Sequence, residues 1–293
     1  SLDRRQRQMC IRDRRDSGVF DNYLIGYAPG NESNVFPEET GVYIAPGGEF
    51  TFQLHYTPVG RETIDRSKIG LYFHTEKPEN FYRQDVVLNP TIYIPANEAR
   101  HEEVSYYEFN HPAEIHDLVP HSHYRGVASK FEIVHPDGRK ETILSVPNYD
   151  FNWQRTYEFV EPKRVEAGAR LVHTTWYDNS ANNPGNPDPN RNVPWGQQSW
   201  DEMLYGAFSY TYVNETTEAP LHDKALADTT QMVGFMDKNF DGKLTWEELS
   251  GRWRKRLASN FKRADANGDG GLSIKEMHRL QQMRERQGAT GAL

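Results

Sequence analysis

Apolar and polar residues alternate with a period of two over short stretches of this chain. Residues 49–57 show it best: Phe50, Phe52, Leu54 and Tyr56 share one parity, and Thr51, Gln53 and His55 share the other. Successive side chains of a strand point to opposite faces, so the pattern predicts a half-buried strand. Comparable runs predict strands at 69–73, 104–109, 127–134, 170–176 and 203–213. Asp137-Gly138 lies between two apolar runs, and a tight hairpin turn needs a residue that accepts positive φ. Many short strands with no helical stretch between them predict a mainly β chain, built as a jelly-roll-like β-sandwich. Residues 179–196, NSANNPGNPDPNRNVPWG, read as a long loop, because proline blocks ladder hydrogen bonds and asparagine favours turns. After Glu218-Ala219-Pro220 the pattern turns helical, and residues 222–287 read as a small α-helical unit interrupted by two acidic loops.

Aromatic residues make up 12% of the chain, which supports the β assignment. No run approaches the ~20 apolar residues of a membrane span. A net charge of −8 argues against a nucleic-acid partner, whose phosphates call for clustered Lys and Arg. The single cysteine, Cys10, excludes an intrachain disulfide. Residues 1–16 hold six arginines and no apolar core of a signal peptide. They resemble either the translation of a sequencing adaptor or a disordered basic arm. On the first reading Cys10 carries no biology.

Two segments match the calcium-loop template D-x-[DN]-x-[DN]-G-x5-E. The first carries Asp237, Asn239, Asp241, Lys243, Thr245 and Glu248. The second carries Asp265, Asn267, Asp269, Gly271, Ser273 and Glu276. Calcium takes six to eight oxygens. The first, third and fifth positions offer side-chain oxygens, the seventh a backbone carbonyl, the ninth often a bridging water and the twelfth a bidentate carboxylate. Lys243 and Gly271 stand at the seventh position, where the side chain is free to vary. Gly242 and Gly270 allow the sharp turn, and Leu244 and Leu272 suit an apolar contact between paired loops. The loops start 28 residues apart, so residues 246–264 are expected to form one connecting helix, with a structural rather than a switching role.

His121-Ser122-His123 places two imidazoles on one side of a strand, where both can converge on a metal. Histidine is common nearby, at His101, His111 and His116, so the pair alone is also compatible with an ordinary histidine-rich stretch. A strand unbroken to Val134 would give the pair the parity of Val127, Phe131 and Ile133, unless Gly126 interrupts it.

The surrounding runs PHSHYRG, VHPDGRKETILSVPNYDFNWQRTYEF and WYDNSANNPGNPDPNRNVPWGQQSWDEM resemble the C-terminal domain of the copper type II, ascorbate-dependent monooxygenases. The resemblance covers residues 18–213. It is closest to a bacterial branch related to peptidylglycine hydroxylating monooxygenase and dopamine β-hydroxylase. It implies a catalytic copper held by His121, His123 and the Met203 of Asp-Glu-Met. The chemistry agrees: thioether favours Cu(I), and imidazole suits both oxidation states. It also implies a second copper in an N-terminal domain, with His55 of Leu-His-Tyr as one ligand. No adjacent His-His pair occurs in the sequence. Residues 17–76 then read as the end of that domain and 77–217 as the catalytic copper domain, with the second site incomplete.

The activity implied is hydroxylation of an activated C–H bond of a small-molecule substrate with O2 and ascorbate, impaired in this chain by the incomplete site. Peptide-amidating relatives carry an arginine where Val119 stands and a tyrosine where Ala207 stands, which argues against a peptidylglycine substrate. Trp195, Trp200 and Tyr205 are candidates to line the pocket or to pack the core. The competing reading is a non-catalytic extracellular β-sandwich and EF-hand module for metal binding or adhesion. Either reading places the protein in the periplasm or outside the cell.

Overall fold

The structure is a computed structural model that describes residues 24, 26, 33–44, 46, 47, 50, 52, 54–56, 60–249 and 251–290. Its centre is eight antiparallel strands: β3 (Arg83–Leu88), β5 (His101–Glu108), β6 (Ala113–His121), β7 (Gly126–Val134), β8 (Lys140–Val146), β9 (Tyr157–Val165), β10 (Arg170–Tyr177) and β12 (Tyr205–Tyr212). Two-residue strands β1 (Thr40–Gly41), β2 (Asn80–Phe81), β4 (Tyr93–Ile94) and β11 (Val193–Pro194) fringe them.

The pairings are nested. β7 pairs with β8, β6 with β9, β5 with β10 and β3 with β12. One long hairpin has thus been wrapped on itself, and its tip is the Asp137-Gly138 turn, where Gly138 has φ +86°. Two further pairings, β10 with β7 and β12 with β6, close it into two four-stranded sheets, ordered β5-β10-β7-β8 and β3-β12-β6-β9. That wrapping is the jelly roll expected from the strand pattern. Tyr107, Phe109, Phe131, Leu118, Phe208 and Tyr210 are fully enclosed in the core between the sheets.

The helical unit has α1 (Lys224–Met236), α2 (Gly251–Leu257), α3 (Phe261–Ala264) and α4 (Ile274–Thr290), with short strands β13 (Lys243–Thr245) and β14 (Gly271–Ser273) pairing the two loops. Asp223 caps α1 by accepting from the Leu226 N–H. Bidentate pairing of Arg83 with the buried Glu215, which also accepts from the Leu221 N–H at 2.7 Å, ties the linker to β3.

β3 and β5 each form one edge of their sheet, and α1 packs across both. Strand alternation makes this possible. Val87 and Tyr107 point into the sandwich, while Val86, Leu88 and Tyr106 join a second core with Val233, Met236, Leu244 and Leu272 of the helical unit. The helix so covers edges that would otherwise offer unpaired backbone groups. Gly234 is the point of closest approach, since a Cβ there would collide with the Tyr106 carbonyl.

Three sequence expectations need correction, and the alternative left open at Gly126 is decided. Residues 69–73 join no sheet among the described residues, and Tyr72 and Phe73 are exposed, because an alternating pattern yields a strand only where a partner edge exists. The expected strand at 49–57 lies partly outside the described residues. Its described members, Phe50, Phe52, Leu54, His55 and Tyr56, are exposed and in no strand. The single helix over 246–264 is instead α2 and α3, broken where the Asn260 N–H turns back to the Leu257 carbonyl at 2.9 Å. The strand carrying the histidine pair ends at His121, and the Gly126 N–H turns back to the His123 carbonyl at 3.2 Å before β7 begins.

Asp85 of β3 accepts from the Gln231 side chain of α1 and from the Val86 N–H. Burial raises its carboxyl to about 6. The folded state therefore binds a proton more tightly than the unfolded chain. The contribution is fully present below about pH 4, is lost as pH rises through 6, and is level above. Asp85→Asn, which keeps the acceptor, is expected to raise stability at pH 7 by roughly 3 kcal/mol and to leave it unchanged below pH 4. Denaturant unfolding at the two pH values checks this.

Candidate metal centres

The His121-x-His123 pair sits where β6 leaves the sheet. The two ring centroids are 5.1 Å apart and nearly perpendicular, at 85°. Imidazoles sharing one metal at ~2 Å fall at about this separation. His121 Nδ1 lies 2.6 Å from Gln154 Oε1, and His123 Nδ1 lies 3.2 Å from the Asp201 carbonyl. An acceptor at each Nδ1 places the proton there and leaves Nε2 with its lone pair, the arrangement seen in outer partners of metal-bound histidine. Burial lowers both pKa values. His123 falls to about 3, helped by the neighbouring His121, and the Gln154 hydrogen bond partly offsets the fall at His121. Both rings are therefore neutral at physiological pH, as ligation requires.

Met203 lies two residues before β12, not within it, and is buried. Tyr205 pairs with His121 across β12 and β6, and its ring packs edge-on against that imidazole at 5.8 Å. The chain leading back from Tyr205 to Met203 thus runs beside the chain leading on from His121 to His123. One side chain gathers these segments. The fully buried Glu202 accepts from the N–H groups of His123 at 2.7 Å, Arg125 at 2.6 Å and Met203 at 3.3 Å. Burial pushes its carboxyl up to about 8, against the pull of those N–H groups and of the Arg125 guanidinium.

Arg125 is the largest fully buried side chain among the described residues. It donates to Asn179 Oδ1 at 2.7 Å and to the Trp200 carbonyl at 2.9 Å. Asn179 in turn donates to the carbonyls of Pro95 at 2.8 Å and Arg191 at 2.9 Å. The 179–196 loop is thereby fastened to the histidine segment. Trp195 packs into the core shared with the helical unit, and Trp200 is partly exposed. Glu202, Arg125, Asn179 and Gln154 escaped the sequence reading. The available signal was an Arg and a Glu inside the very motifs that supply the candidate ligands.

His55 is exposed, and it is a minor electrostatic contributor to the lowered pKa values of His121 and His123. Among the described residues, no three His, Cys, Asp or Glu side chains gather to hold a metal ion. Met203, the third candidate ligand for copper, carries a thioether, which is not one of those groups.

In the first calcium loop, Glu248 accepts from the N–H groups of Lys238 and Thr245, both within 2.9 Å. Asn239 and Asp241 are linked to one another at 3.0 Å. Asp237 Oδ2 accepts from the Gly242 N–H at 2.8 Å, while Oδ1 is buried without a partner. An orphaned carboxylate oxygen inside the loop fits calcium. In the second loop, Glu276 accepts from Ser273 at 2.7 Å and from the Ala266 N–H at 2.9 Å, and Asn267 bonds to Asp269 at 2.8 Å. Thr245 of the first loop also donates its hydroxyl to Glu248 at 2.8 Å. Leu244 and Leu272 pair across β13 and β14, and both are fully buried. Lys243 Nζ reaches across to Asp269 at 2.5 Å, and Gly271 pairs with Thr245 in the same ladder.

Residues 234–251 and 258–281 match the EF-hand family. The chain therefore ends in an EF-hand calcium-binding region, set on a jelly-roll sandwich. No curated protein matches the chain. Among solved structures it is similar to the infectious bursal disease virus Gt strain, at 11% identity over 51% of this chain and 37% of that one, with a TM-score of 0.23. The Gx strain gives 12% identity, 51% and 39% coverage and a TM-score of 0.24. The match thus spans less than half the length of those viral chains. No helix among the described residues is long and apolar enough to cross a membrane.

Replacing Glu202 by Ala leaves three N–H groups of the ligand segments without an acceptor. Glu202→Ala is expected to cost about 3 kcal/mol in denaturant unfolding. A loss below about 1 kcal/mol would contradict this role for the carboxylate.

Proposed function

We propose that the chain carries the catalytic copper domain of an ascorbate-dependent copper monooxygenase, held by His121, His123 and Met203, together with a calcium-binding EF-hand pair. The observation that carries this reading is the pairing of the two imidazoles together with the common anchoring of His123 and Met203. Two neutral imidazoles stand 5.1 Å apart, and the His123 and Met203 N–H groups meet on one buried carboxylate. Copper bound there supplies one-electron chemistry and O2 activation, with ascorbate as reductant.

The protein's part is positional. Gln154 and the Asp201 carbonyl hold each ring in the tautomer that presents Nε2. Glu202 and Arg125 keep the two segments in register, and the buried surroundings keep both imidazoles unprotonated. Val119 and Ala207 face each other across β6 and β12, two positions from His121 and Tyr205 respectively. That pair offers neither charge nor hydroxyl, which favours a substrate with no carboxylate at this point. His55 alone offers one imidazole toward a second copper, so turnover by this chain is expected to be slow. Export to the periplasm or beyond belongs to the same proposal.

Copper titration followed by ascorbate-driven O2 uptake tests the reading. About one copper per chain is expected, with uptake reduced on the order of 100-fold in His121→Ala and Met203→Ala. Failure to bind copper would favour the non-catalytic extracellular module instead.

A further inference from the structure

We propose that the β-sandwich supplies part of the first calcium site. The Tyr106 hydroxyl and the Arg170 guanidinium hold that loop ready for calcium, and bound calcium clamps the EF-hand pair to the sandwich. This does not rest on the copper reading.

Tyr106 of β5 points out of the sandwich and donates its hydroxyl to Asp237 Oδ2 at 2.6 Å. The same oxygen accepts from the Gly242 N–H inside the loop. Oδ2 is therefore fixed from two sides, one of them the sandwich, and the free Oδ1 is the oxygen left for the ion. Asp237 is 1% exposed, so its orientation is set by these contacts and not by solvent.

Arg170 of β10 makes the second attachment. It is held by Glu108 at 2.9 Å, lies over the Tyr106 ring at 5.0 Å and donates to the Phe240 carbonyl at 2.6 Å. It also packs against Gly242, where a Cβ would strike the guanidinium. Phe240 has φ +61°, a left-handed conformation unusual for an aromatic residue. Its ring packs on Tyr106 at 5.8 Å, so ring and carbonyl are both tied to the sandwich. The equivalent residue of the second loop is Gly268, which takes φ +72° with no such support.

The second loop is self-contained. Asp265 Oδ1 accepts from the N–H groups of Gly268 at 2.8 Å and Asp269 at 3.1 Å, and Oδ2 accepts from Gly270 at 3.0 Å. Both oxygens are thus engaged within their own loop. The two sites differ in that, among the described residues, only the first is pre-set by groups from outside the EF-hand pair. Outer-sphere partners of this kind typically change metal affinity by ~10-fold or more.

Calorimetric titration of calcium chloride into the full chain carrying Glu276→Gln, which silences the second loop, isolates the first site. Adding Tyr106→Phe is expected to weaken calcium binding about tenfold. It should also shrink the calcium-induced rise in the melting temperature of the sandwich, read from its aromatic circular dichroism. Unchanged affinity and an unchanged rise would overturn the proposal. If Tyr106→Phe does not fold, Arg170→Met takes its place, with weaker binding expected and unaltered binding again overturning the proposal.

Discussion

The candidate copper centre depends on a carboxylate that no ligand list would include. Glu202 is fully buried and accepts N–H groups from both sides of the site, His123 and Arg125 on one segment and Met203 on the other. A buried carboxyl is costly unless such donors surround it. The same donors are thereby fixed in place, which is how residues about eighty positions apart come to share one small volume. Arg125 carries the arrangement outward through Asn179 and the Trp200 carbonyl. The loop at 179–196 is consequently part of the site's scaffold.

The opposite flank is organised by strand alternation. Neighbouring residues Tyr106 and Tyr107 serve two cores, the first beneath the EF-hand pair and the second between the sheets. Edge strands β3 and β5 are covered by α1, with Gly234 permitting contact at backbone distance. The EF-hand pair is thus integrated into the sandwich, and its first calcium loop touches sandwich side chains directly.

Much of this was legible in local sequence. The EF-hand loops were readable because every candidate ligand lies within twelve residues and each position has one chemical duty. Asp137-Gly138 announced the tip of the nested hairpin because positive φ is a local demand. The sandwich strands announced themselves by period. The rest depended on partners distant in sequence. Residues 69–73 carry the strand pattern but have no edge to pair with among the described residues. Residues 246–264 carry helical residues, but the turn at Asn260 divides them. Met203 was placed in a strand that begins two residues later. Glu202 and Arg125 were invisible because their role exists only once two remote segments meet. A charged residue in a motif carries no sign that it will be buried.

The most direct test of this account is X-ray absorption at the copper edge of the chain loaded with Cu(I), compared with Met203→Leu. The account predicts imidazole nitrogen and one sulfur neighbour in the unaltered protein, and loss of the sulfur alone in the variant. Scattering without sulfur, or a spectrum that Met203→Leu leaves unchanged, would contradict it.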